Sequence, residues 1–114
     1  MFDTNLMFGT SKAITADGYM TNALLVGPGE YVTEIITEAF TGFSTVSVRV
    51  EESSDGSTYT PLAYAEPITG KQSRRIVFNT RKEYLKMYVD ITGSGSITLT
   101  AGIVMAPGAG VPKV

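Results

Sequence analysis

The chain has 114 residues and a mass of 12.2 kDa, the size of a single domain. Its 9 Lys and Arg against 11 Asp and Glu leave a net charge of −2, which argues against a general nucleic-acid binder, because phosphate affinity needs surplus cations. His, Cys and Trp are all absent, so disulfides, thiolate chemistry, Cys/His zinc sites and imidazole acid–base work are excluded, and an enzyme is not expected.

Taken from the N-terminus, residues 1–9 carry Phe2, Leu6, Met7 and Phe8 without a clean period and read as an N-terminal arm. Apolar side chains in an irregular terminus need something to lie against. The body of the domain is expected over 10–105. Within it, Tyr31 to Phe40 is ambiguous: Val32, Ile35, Ile36, Ala39 and Phe40 fit helical spacing, whereas the β-branched content and the flanking Gly27-Pro28-Gly29 and Gly42 favour a strand. Thr45 to Glu51 alternates cleanly, with Val46, Val48 and Val50 on one face and Ser47, Arg49 and Glu51 on the other. Ser53-Ser54-Asp55-Gly56-Ser57 is a turn, because Asp-Gly readily takes positive φ. It leads into a less regular strand over Thr58 to Ala65, where Pro61 predicts an edge or a bulge.

Arg74 to Thr80 is a further short strand with Ile76 and Phe78 inward. Tyr84 to Ile91 turns Leu85, Met87, Val89 and Ile91 one way, and Tyr84, Lys86, Tyr88 and Asp90 the other. Ile97 to Met105 does the same with Ile97, Leu99, Ala101, Ile103 and Met105. The short Gly-rich link Thr92 to Ser96 predicts that these two runs form an antiparallel hairpin. Residues 106–114, with Pro107 and Pro112, cannot form a ladder strand and read as an extended C-terminal tail. Seven or eight short strands in this length predict an all-β, single-domain, jelly-roll-like antiparallel β-sandwich with extended termini. No run approaches the roughly 18 apolar residues of a membrane span, and no secretory signal is expected.

Few constellations offer chemistry. Glu51, Glu52 and Asp55 are close in sequence, but their spacing matches no calcium loop and Glu51 and Glu52 point to opposite sheet faces. Lys71, Arg74, Arg75, Arg81 and Lys82 form the densest basic region, without the aromatic motif or recognition helix of a nucleic-acid reader. Tyr84 and Tyr88, with Lys86 between them, share the face opposite the core and could stack sugars or anchor an interface. Charge is split along the chain. Up to Glu66 there are two cations and nine anions, a net of −7; from Pro67 there are seven cations and two anions, a net of +5. Such a split suits self-association or docking on a complementary surface.

The order of these pieces resembles a known family. Phe2-Asp3-Thr4-Asn5-Leu6-Met7-Phe8, Glu38-Ala39-Phe40-Thr41-Gly42, the valine strand running into Glu51-Glu52-Ser53-Ser54-Asp55-Gly56, Tyr84-Leu85-Lys86-Met87-Tyr88-Val89-Asp90 and Thr100-Ala101-Gly102-Ile103-Val104 follow one another. Together they resemble the small capsid cement (decoration) proteins of tailed bacteriophages, of the type known from a Bordetella phage. The likeness covers about residues 1–105, as a succession of strand patterns and not as a catalytic signature. The tail after Met105 and the compact Gly93-Ser94-Gly95-Ser96 link depart from the pattern.

The resemblance implies a jelly roll on the outside of an icosahedral head, in trimers that bridge neighbouring major capsid proteins, and it implies a strand for Tyr31 to Phe40. The expected partners are thus the major capsid protein and further copies of the chain, with no nucleic acid, membrane, cofactor, metal or small-molecule substrate. Expected subunit or capsid contacts are Phe2, Leu6, Phe8, Lys71, Arg74, Arg75, Arg81, Lys82, Tyr84, Tyr88, Val111 and Val114. The rival expectation is a carbohydrate- or receptor-binding β-sandwich module of a phage tail, with Tyr59, Tyr64, Tyr84 or Tyr88 as stacking platforms.

Overall fold

β-Branched alternation makes strands, and the computed structural model, which describes residues 6–42 and 45–105, is mostly strand. The described residues form β1 (Met7–Ile14), β2 (Gly18–Tyr19), β3 (Leu24–Leu25), β4 (Gly29–Thr41) and β5 (Thr45–Ser53). They continue with β6 (Thr60–Tyr64), β7 (Ser73–Thr80), β8 (Tyr84–Thr92) and β9 (Ser96–Met105). All pairings are antiparallel and they make two sheets, ordered β1-β9-β4-β7 and β2-β8-β5-β6, with β3 also beside β8. The inward faces meet in one core. Val46, Val48, Val50, Leu85, Met87 and Val89 come from the second sheet, and Ile35, Ile97, Leu99, Ala101 and Ile103 from the first, none above 2% exposed. Ile91, expected in that core, is only partly buried at its margin.

Residues 31–40 lie within one long strand, β4. Its buried positions alternate as Tyr31, Thr33, Ile35 and Thr37, which puts Val32 and Ile36 on the outer side. The helix-like spacing arose because threonines take inward places while two aliphatic residues face out. Thr33 and Thr37 consequently bury hydroxyls that have no hydrogen-bond partner among the described residues. An unmet buried hydroxyl costs stability, and an isosteric apolar replacement removes that cost. Thr33→Val is therefore expected to raise the unfolding free energy by about 1 kcal/mol, read from urea denaturation; a loss of stability would show that the hydroxyl is satisfied.

Two expectations need correction. The Thr92 to Ser96 link does not close a hairpin: β8 lies in the second sheet and β9 in the first, so the link carries the chain across from one sheet to the other. Alternation could not separate the two cases, because strands from opposed sheets facing one core have the same inward period as strands of one sheet. The second concerns the N-terminal arm. Residues 7–9 belong to β1, and Phe8 is fully buried. The Phe8 ring thus spends its apolar surface inside the domain instead of on a neighbour. The amide of Asn22 donates to the Phe8 carbonyl at 2.8 Å and the Asn22 side-chain amide to that of Met7 at 3.0 Å, which fixes this end of β1.

The Ser53 to Ser57 turn does link paired strands, β5 and β6. Asp55 Oδ1 accepts from the amides of Ser57 and Thr58, and Gly56 takes φ of 79°. These hydrogen bonds hold the Asp55 carboxyl down at about 2. Pro61 sits on the edge strand β6, opposite Glu51 and next to a register shift at which Leu62 of β6 is the extra residue, and there its missing N–H costs least.

Candidate functional site

The outward side of the second sheet collects side chains that the chain scatters over 70 positions. Strand register explains how. Tyr19 is opposite Tyr88, Tyr88 opposite Arg49, and Arg49 opposite Tyr64, so one row crosses β2, β8, β5 and β6. Directly paired residues point the same way. The next row sets Lys86 against Glu51, and the one after it sets Leu25 and Ser53 against Tyr84. With Tyr59 leaning in from the chain before β6, five of the six tyrosines lie on this one face.

The face is locked by charge. Tyr19 donates its hydroxyl hydrogen bond to Glu51 Oε1 at 2.6 Å, and Arg49 Nε donates to Glu51 Oε2 at 2.6 Å. Arg49 lies over the Tyr88 ring, 4.2 Å from its centroid, and Lys86 Nζ lies 4.8 and 4.7 Å from the Tyr19 and Tyr59 centroids. Tyr19 meets Tyr88 edge-on, with centroids 4.9 Å apart. Glu51 is buried beneath these rings, although the valine-strand pattern marks it as an outward residue. A buried carboxylate is tolerated here because two charge-assisted hydrogen bonds replace its water. Above it, Tyr64 stays 61% exposed, Leu25 70% and Tyr19 41%.

The hydrogen bond to Glu51, then burial, pushes the Tyr19 hydroxyl up to about 12. Since the folded chain holds that proton more tightly than an unfolded one, this contribution to stability is complete below pH about 10 and fades as pH rises towards 12. An ultraviolet titration of the folded protein is expected to show a tyrosine ionising near 12. Tyr19→Phe should abolish that late step; its persistence in the variant would place the Glu51 bond elsewhere.

The other expected contacts are dispersed. Phe2, Val111 and Val114 lie outside the described residues, as do residues 106–114 as a whole. Leu6 packs partly against the core that Phe8 fills. The basic region does not gather into one patch, because alternation sends Arg74 and Arg75 to opposite sides of β7. Arg74 is used up locally, donating to the carbonyls of Glu66 and Pro67 and to Gln72 Oε1. Arg75 faces outward and reaches Glu34 at 3.6 Å. Lys71 and Arg81 are exposed and Lys82 is half-buried. Tyr84 and Tyr88 are both half-buried on the tyrosine face.

The acidic trio separates as well. Glu51 turns to Tyr19 and Arg49, Glu52 accepts from Thr80 Oγ1 at 2.7 Å, and Asp55 caps its turn. Tyr19, Arg49, Glu51 and Leu25 are members of the face that sequence reading passed over. Arg49 and Glu51 were visible as outward positions of a strand, whereas Tyr19 and Leu25 lie on two-residue strands too short to show a period. Compared with protein-family models and with curated proteins, the chain matches none.

Proposed function

We propose that this chain is a structural virion protein, a capsid cement or decoration protein. On this reading it binds the outer surface of a phage head and strengthens contacts between major capsid proteins as a trimer. The observation that carries the reading is the tyrosine face, a row of Tyr and Arg held in fixed orientations and flanked by exposed Leu25 and Tyr64. Tyr and Arg dominate binding hot spots, and preorganised anchors lose little entropy on docking. A clamp that engages several equivalent sites on a lattice multiplies weak contacts into firm attachment.

The pattern of pairing supports a jelly roll. With β2 and β3 counted as one interrupted strand, the pairs β1–β9, β2/β3–β8, β4–β7 and β5–β6 are those of one long folded hairpin. The pairs β4–β9 and β5–β8 are those gained by rolling that hairpin up. The sequence resemblance to phage cement proteins points the same way.

The second reading, a carbohydrate-binding module, draws on the same tyrosines. It is weaker because a sugar stacks on an open ring face, and cations already cover Tyr19, Tyr59 and Tyr88. Co-sedimentation of the purified protein with undecorated heads, run beside a glycan array, separates the two. Saturable binding to heads is the expected result. Binding to glycans alone would replace the proposal with the second reading.

A further inference from the structure

We propose that the open edge of β7 pairs antiparallel with the same edge of a second copy, about a two-fold axis through Val77. The contact goes beyond the cement reading: it lies in the first sheet, away from the tyrosine face, and stands whether or not the chain binds heads. Each sheet has two edges, and on all but one of them the strand is guarded against further pairing. β1 carries two register shifts and Ser11 at φ of 47°, β2 and β3 are two residues each, and β6 has Pro61 beside a register shift. β7 instead runs for eight residues, Ser73–Thr80, in unbroken register with β4 and without proline.

One hydrogen bond fixes which groups face outward. The Thr37 amide donates to the Gln72 carbonyl at 3.2 Å, so in this register Ile35–Arg74, Thr33–Ile76 and Tyr31–Phe78 are the pairs that bond across to β4. The backbone groups of Ser73, Arg75, Val77 and Asn79 therefore point to the open side. Arg74 Nη1 takes the Ser73 carbonyl at 3.2 Å, whereas Arg75, Val77 and Asn79 have no strand beside them among the described residues. With Val77 opposite Val77 of the other copy, Arg75 meets Asn79 in both directions, and each of these pairs exchanges both its bonds. Side chains fit the same register. Val32 and Val77 of the two copies line up in one apolar row, which covers a Val77 that is 59% exposed in the single chain. On either side of it a row reads Glu34, Arg75, then Asn79 and Glu30 of the other copy, so Arg75, 3.6 Å from its own Glu34, gains a second carboxylate in its row. The two Arg75 side chains stay about 13 Å apart along the strands, at roughly 3.3 Å per residue. The neighbouring register, with Arg75 opposite Val77, would set Lys71 against Arg81 and call on the occupied Ser73 carbonyl.

The absence of Cys makes the register testable, because a single substitution supplies the only thiol. With a short thiol cross-linker, Val77→Cys is expected to join to itself, and Arg75→Cys to Asn79→Cys in a mixture, about tenfold or more faster than Lys71→Cys joins to itself. Val77→Pro removes the amides on the axis but no bond to β4, so the domain should still fold, which circular dichroism checks. Its self-association, read by sedimentation over a concentration series, should weaken about tenfold or more. Val77→Thr, which keeps the amide, should lose far less. A chain that is monomeric at every concentration, Val77→Cys joining no faster than Lys71→Cys, or association unchanged by Val77→Pro would each overturn the inference. So would amides of Arg75, Val77 and Asn79 whose hydrogen exchange slows on adding undecorated heads but not on raising the chain's own concentration, because the edge would then belong to another protein.

Discussion

Phe8→Ala is expected to lower the unfolding free energy by about 3–5 kcal/mol, a large share of the roughly 5–15 kcal/mol that holds a small domain together. The ring is fully buried in the core shared by both sheets, and its strand cannot slide to refill the space. Asn22 fastens the backbone on either side through the carbonyls of Met7 and Phe8. Gly9 next to it already approaches Met20 so closely that an added Cβ would lie 2.9 Å from the methionine methyl. Truncation leaves a cavity, and the cavity term adds to the lost transfer energy. Urea denaturation followed by circular dichroism measures it; a loss below about 1 kcal/mol, within the range of surface substitutions, would remove Phe8 from the core. The result also governs any test of the N-terminus as a contact arm. Deleting residues 1–9 takes away core as well as arm, so the informative truncation stops before Leu6.

This strand is also where sequence reasoning was blindest. Alternation identified β5, β7, β8 and β9 because their apolar residues fall at every second position and are turned into the core. In β1 the register shifts twice within eight residues, Ser11 takes φ of 47°, and Met7, Phe8 and Gly9 are buried in succession. Two bulges erase a period of 2, and an arm is what remains visible. The tyrosine face was half legible for a related reason. Tyr84, Lys86 and Tyr88 share a face by spacing alone, but their contact with Arg49, Tyr64 and Tyr19 depends on which strands lie side by side. Nothing in one strand's pattern encodes its neighbour. Glu51 shows the same limit from the other side: its outward position was correct and its burial came from rings on other strands.

The sheet-to-sheet crossing that replaced the expected hairpin yields the second large effect. Gly95→Ala is expected to cost about 2–6 kcal/mol, combining backbone strain with steric overlap. Gly95 has φ of 156° and Gly42 φ of 90°, both in the region that favours glycine. A Cβ on Gly95 would stand 2.0 Å from the Thr41 carbonyl oxygen and 2.9 Å from Gly42 Cα, and one on Gly42 would stand 2.7 Å from the Ser94 carbonyl oxygen. The obstacles are backbone atoms of the β4–β5 and β8–β9 connections, so no flexible side chain can yield. Gly70→Ala is the matched control, since nothing lies within 4 Å of its added methyl. It should be neutral or raise stability by up to about 1 kcal/mol through the unfolded chain. Equal unfolding free energies for the two variants would mean that the crossing is loose. The consequence extends to the tyrosine face, because β5 begins three residues after Gly42 and β8 ends three residues before Gly95. These strands bring Arg49 opposite Tyr88, so a crossing forced apart at Gly95 should disturb that pair, and the late ionisation of Tyr19 offers a way to detect the disturbance in molecules that remain folded.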